Sequence, residues 1–136
     1  MKTAKINYVG ELRTECTHIR SGKTFLTDAP TDNNGKGEAF SPTDCVATAL
    51  GSCMISIMGI VAIKNNFEFG VCSADITKVM ESNPRRIGEV ILEINMPKGN
   101  FTAAQKKMLE TAALNCPVAK SLHPDLKQTV AFNYNI

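Results

Sequence analysis

Residues 45–63, CVATALGSCMISIMGIVAI, run for nineteen positions without a charge. Such a stretch has two physical outlets, lipid or the interior of a protein. Its length alone allows a membrane span. Its composition points the other way. Thr48, Gly51, Ser52, Cys53, Ser56 and Gly59 dilute the hydrophobicity, and no belt of Trp or Tyr flanks the run. A helix apolar all round belongs in a core, so the expectation is a helix buried on all sides by protein, with no membrane partner. The preceding Ser41-Pro42-Thr43-Asp44 reads as a helix start. Ser41 is the N-cap, Pro42 takes the first helical position, and Asp44 completes an S-x-x-D capping box. Asn65-Asn66 ends the helix near Lys64. At 1.5 Å per residue that is about 34 Å, enough to cross a small domain.

The rest of the chain must cover this helix. With 136 residues it is expected to form one domain, residues 1–136. Apolar residues at 43% and charged residues at 21% exclude a disordered chain. A net charge of +2 gives no reason to expect nucleic acid or a membrane surface as partner. The start, MKTAKINYVGELR, has no apolar run after its lysines and does not read as a secretory signal. A cytoplasmic location follows, where thiols are kept reduced.

Residues 3–9, 13–19 and 23–28 read as strands, with Ser21-Gly22 as a two-residue hairpin signal. Residues 29–40 form a polar, glycine-bearing loop. After the long helix come strands at 71–80 and 86–96, turning at Asn83-Pro84. Thr102 opens a further helix with a T-x-x-Q box to Gln105, and Cys116-Pro117 breaks it. A short helix PVAKSL and a last strand at 128–135 follow. The order βββαββααβ is α+β, with antiparallel sheets wrapped around a buried central helix. One chain of this size covers only part of such a helix, so a two-fold homodimer is expected.

Five cysteines carry the candidate chemistry. Cys53 lies in the third turn of the long helix, too far from its N-terminus for the dipole to activate it. In an apolar setting its thiol is inert unless another element brings positive charge. Cys116, just before Pro117, can sit at a helix N-cap, where backbone N–H groups favour a thiolate. Lys120 adds charge one turn on. Cys16 and His18 share a strand face and could begin a metal site, but no second ligand pair accompanies them. Cys45 and Cys72 read as packing thiols, and His123 as a loop histidine. No GxSxG, HExxH, Walker loop or GxGxxG is present, and no metal or cofactor is implied.

Two segments, SPTDCVATALGSC (41–53) and CPVAKSLHP (116–124), resemble the signature segments of the OsmC/Ohr family of osmotically inducible and organic-hydroperoxide-resistance proteins. The resemblance implies an intertwined dimer with the long helices at its centre. It also implies a thiol-dependent peroxidase in which Cys53 matches the peroxidatic cysteine and Cys116 the resolving one. The expected partners are an organic hydroperoxide, favoured by an apolar pocket, and an external dithiol reductant. Arg13 best matches the family's activating arginine, with Arg20 as the fallback. In the hydroperoxide-resistance branch a glutamate directly follows the helix-start proline; here that position is Thr43 and the acid is Asp44. That spacing is nearer a less characterised branch. Asp44 either orients Arg13 or only caps its helix, and Glu38 is the other candidate acid. The alternative reading is a small-molecule-binding or redox-sensing protein with little turnover.

Overall fold

The computed structural model describes residues 1–134. Strands β1 (Ala4–Gly10), β2 (Arg13–His18) and β3 (Thr24–Asp28) form an antiparallel sheet in sequence order. The tight β1–β2 connection places two non-glycine residues, Glu11 and Leu12, in the left-handed region at φ 54° and 62°. L-residues enter that region only at a cost, so the turn is held by its surroundings. The Leu12 N–H donates to Tyr8 Oη at 3.1 Å, and the Leu12 carbonyl accepts from the Ala29 N–H at 3.0 Å. The β2–β3 connection is longer than the two-residue turn expected at Ser21-Gly22. His18 pairs with Lys23, and the Gly22 N–H returns to the His18 carbonyl at 2.8 Å, leaving four residues in the loop.

Helix α1 spans Pro42–Lys64, matching the expected start and stop. Ser41 and Asp44 form the reciprocal capping box: the Asp44 N–H donates to Ser41 Oγ at 3.1 Å, and the Ser41 N–H to Asp44 Oδ2 at 3.0 Å. A second sheet follows from β4 (Ser73–Glu81), β5 (Arg86–Asn95) and β6 (Lys127–Asn133), in that spatial order. Of the strand expected at 128–135, Asn135 lies outside the described residues. β5 pairs antiparallel with β4 but parallel with β6, so this sheet is mixed rather than purely antiparallel. The reason is the connection. Helices α2 (Ala103–Leu114) and α3 (Pro117–Ser121) carry the chain from the end of β5 back to its starting edge, as a parallel pair requires.

The chain divides into two compact units, Met1–Val46 and a second beginning at Ala47, with the boundary inside α1. In the second unit the buried residues of α1 are Ala47, Leu50, Gly51, Met54, Met58 and Ala62. Their three- and four-residue spacing makes one stripe. It belongs to a core with Val90, Leu92 and Ile94 of β5 and with Leu109 and Ala113 of α2. The chain therefore encloses one stripe of α1 rather than all its faces; Ile60 and Ile63 stay exposed. By length and apolar composition α1 is also able to cross a membrane.

Candidate active site

Arg13 opens β2 and lies directly opposite Asp28, the last residue of β3. Cross-strand partners share a sheet face, and here the pairing is a two-point ion pair. Nε donates to Asp28 Oδ1 at 2.7 Å and Nη2 to Oδ2 at 2.9 Å. Nη2 also donates to Glu38 Oε1 at 3.1 Å, while the Glu38 N–H donates to Asp28 Oδ2 at 3.1 Å. Asp28 is fully buried. The hydrogen bond from Arg13 holds its carboxyl below the usual carboxylate range, against the opposing effect of burial. The same bond raises the Arg13 pKa further above its already high value, so the guanidinium stays charged.

Of the two acids expected near Arg13, Glu38 touches it. Asp44 takes the capping role, and Arg13's carboxylate partners are Asp28 and Glu38. Asp28 was not anticipated from the sequence. Arg20, the fallback, is exposed in the β2–β3 loop and forms no ion pair among the described residues.

In the second unit, Cys53 projects from the middle of α1 and packs against the core that contains Cys116. The two thiols, 63 positions apart in sequence, are close enough for Cys53 to bear on the titration of Cys116. Cys116 is fully buried and caps α3, its sulfur accepting the Ala119 N–H at 3.4 Å. The expected thiolate preference is corrected by burial. Desolvation outweighs the backbone N–H groups of Ala119 and Val118, and Cys53 adds to it, so the Cys116 thiol titrates above its ordinary value. A helix of only five residues has little dipole to oppose this.

All five cysteines are free thiols. Burial pushes Cys45 and Cys72 upward as well, with Cys16 and Asp44 contributing at Cys45. Cys16 lies 3.8 Å from Thr14 Oγ1, and His18 Nδ1 is 2.6 Å from Ser21 Oγ, so neither turns to the other. Among the described residues no group of three His, Cys, Asp or Glu is arranged to hold a metal. His123 accepts the Asp125 N–H at 3.0 Å and stabilises a turn. Two open grooves of about 380 and 460 Å³ lie at the end of the second sheet, around Phe67, Phe69, Phe101 and Lys98. Neither contains a cysteine, so the apolar pocket expected for the substrate is not one of these.

Residues 35–131 match the family described as OsmC-like protein. The chain belongs to the OsmC-like family. It is 46% identical to a Psychrobacter arcticus 273-4 protein described as an osmotic stress induced and detoxification response protein. That match covers 98% of this chain and 96% of the other, with a TM-score of 0.92. The fold is shared at lower identity with an organic hydroperoxide resistance protein from Legionella pneumophila, at 14% identity, 98% coverage of both chains and TM-score 0.76. It is also shared with the organic hydroperoxide resistance protein of Bacillus subtilis, at 18% identity, coverage of 97% and 98%, and TM-score 0.66. Among curated proteins, none matches the chain.

Proposed function

We propose that this OsmC-like protein reduces organic hydroperoxides through a Cys53–Cys116 thiol cycle. The observation that carries the reading is the placement of these two thiols side by side against one core. OsmC-like neighbours named for organic hydroperoxide resistance support the substrate class. The Cys53 thiolate attacks the O–O bond, forming an S–O bond and releasing the alcohol once the alkoxide takes up a proton. The Cys116 thiol then condenses with the Cys53 sulfenic acid, forming the disulfide and releasing water. An external dithiol reduces the disulfide and is itself oxidised. Arg13 supplies the positive charge that the middle of α1 lacks. Asp44 fixes the helix start two turns before Cys53. The working form is a homodimer, and the cytosol, where thiols are kept reduced, is the compartment this cycle fits.

The test is peptide mass spectrometry of reduced protein after one equivalent of cumene hydroperoxide. One intramolecular disulfide joining Cys53 to Cys116 is expected, with Cys53→Ser abolishing turnover with dithiothreitol. No bridge, or turnover unchanged in Cys53→Ser, overturns the reading.

A further inference from the structure

We propose that Cys16 and Cys45 form a second dithiol in the first unit, a redox-modification site that a low-molecular-weight disulfide closes into an intrachain bridge. The site lies wholly within Met1–Val46 and involves neither Cys53 nor Cys116. Register sets one half of it. Thr14 pairs with Thr27 and Cys16 with Phe25, so Thr14, Cys16 and Thr27 share one face of the first sheet. That face is open at Phe25, 56% exposed, and closed at Thr27, 6% exposed. The start of α1 sets the other half. The Asp28 N–H donates to the Phe40 carbonyl at 3.1 Å, which draws the chain ahead of α1 alongside the end of β3. Ser41, next in the chain, is fully buried, and the Cys45 N–H donates to its carbonyl at 3.0 Å, one helical turn on. The two half-buried thiols lie close enough there for Cys16 to bear on the titration of Cys45.

The two thiols differ in what surrounds them. Cys16 Sγ lies 3.8 Å from Thr14 Oγ1, and Thr14 Oγ1 is hydrogen-bonded in turn to Thr27 Oγ1. Each hydroxyl has one proton to give. With Thr27 donating to Thr14, the Thr14 proton can serve a thiolate on Cys16. At Cys45, burial, Cys16 and the Asp44 carboxylate all push the thiol up. Cys16 is therefore the attacking sulfur and Cys45 the resolving one. The Cys16 thiolate attacks one sulfur of the reagent, forming a mixed disulfide and expelling the first thiolate. Cys45 gives up its proton, attacks the Cys16 sulfur and expels the second. Two protein thiols are oxidised to one disulfide, the reagent is reduced to two thiols, and the protons the cysteines lose end on the expelled thiolates. The bridge ties β2 to the first turn of α1. It lies within one chain, so a second copy seated over this face slows the reagent without changing the product. Of the five cysteines, only Cys72 then stands outside a proposed pair.

The experiment treats reduced wild-type protein with hydroxyethyl disulfide, caps the remaining thiols with iodoacetamide and maps the peptides by mass spectrometry. Chymotrypsin, cutting after Leu50, separates Cys45 from Cys53. An intrachain bridge joining Cys16 to Cys45 is expected. Cys45→Ser should stop at a mixed disulfide on Cys16. In Cys16→Ser, Cys45 should react at least about tenfold more slowly than Cys16 does in Cys45→Ser. Modification of both cysteines with no bridge between them overturns the proposal, as does a failure of either to react. A bridge from Cys16 or Cys45 to any other cysteine overturns it too, and so does Cys45 reacting as fast as Cys16. The wild-type map decides alone where a variant fails to fold. A Cys53–Cys116 bridge in the same map, present or absent, bears on the peroxidase reading and leaves this one untouched.

Discussion

At Cys116 two local effects oppose each other. The first turn of α3 directs backbone N–H groups at the sulfur, and the surrounding core strips it of water. Desolvation wins, and Cys53 adds to the upward shift. The resolving role proposed for Cys116 suits this environment, because such a cysteine stays a neutral thiol until a sulfenic acid forms beside it. The consequence is measurable. Alkylation of Cys116 by iodoacetamide should begin above the ordinary thiol value of about 8.5. Replacing Cys53 by alanine removes one of the upward causes and should bring that onset down. An onset unmoved in Cys53→Ala would show that the two thiols do not feel each other in solution. The stability sign follows from the same shift. Keeping Cys116 protonated stabilises the fold below the ordinary thiol pKa, and this contribution is lost as pH rises through the folded value.

At the scale of elements, what was legible depended on the range of the interaction. Both capping boxes were readable, Ser41 with Asp44 and Thr102 with Gln105, because each pairs residues three apart. The parallel pairing of β6 was not, since it depends on where two intervening helices return the chain. Asp28 was missed for a related reason. A two-residue turn at Ser21-Gly22 places Arg20 opposite Lys23 and therefore Arg13 opposite Pro30. The four-residue loop shifts the pairing by two and brings Asp28 against Arg13 instead. Strand register is set by turn length, and turn length was the misread quantity. The nearness of Cys53 and Cys116 was legible only through family resemblance, because no local pattern joins positions so far apart. Helix α1 offers a prediction at this scale. Gly51 lies where an added Cβ would meet Ile76 Cδ1 at 2.7 Å, whereas at Gly59 nothing lies within 4 Å. Gly59→Ala should therefore raise stability by up to about 1 kcal/mol through helix propensity alone. Gly51→Ala gains the same propensity but must push Ile76 aside, and overpacking of this kind costs about 1–3 kcal/mol. Unfolding free energies from urea titration should separate the two variants by at least about 1 kcal/mol. Equal values would mean that the contact at Gly51 is slack.

For the whole molecule, the question is what covers the apolar surface the chain leaves open. In the first sheet Ile6 pairs with Cys16, which pairs with Phe25, and Tyr8 pairs with Thr14 two residues along. Residues in register share a face. Ile6, Tyr8 and Phe25 therefore lie on one face, and they are 64%, 66% and 56% exposed. A three-stranded sheet gains its stability by burying such a face. Large exposed apolar side chains grouped on one face mark an interaction surface. Helix α1 adds Ile60 and Ile63 from a stripe its own core does not use. A second copy of the same chain is the economical cover, because two-fold symmetry presents each open surface twice. Sedimentation equilibrium at micromolar concentration should therefore give about twice the 14.7 kDa chain mass. Ile6→Asp combined with Phe25→Asp should shift the mass toward the single chain or leave the protein insoluble. A wild-type monomer at tens of micromolar would show that the exposed face needs no second copy, and would also remove the dimer from the proposed peroxidase.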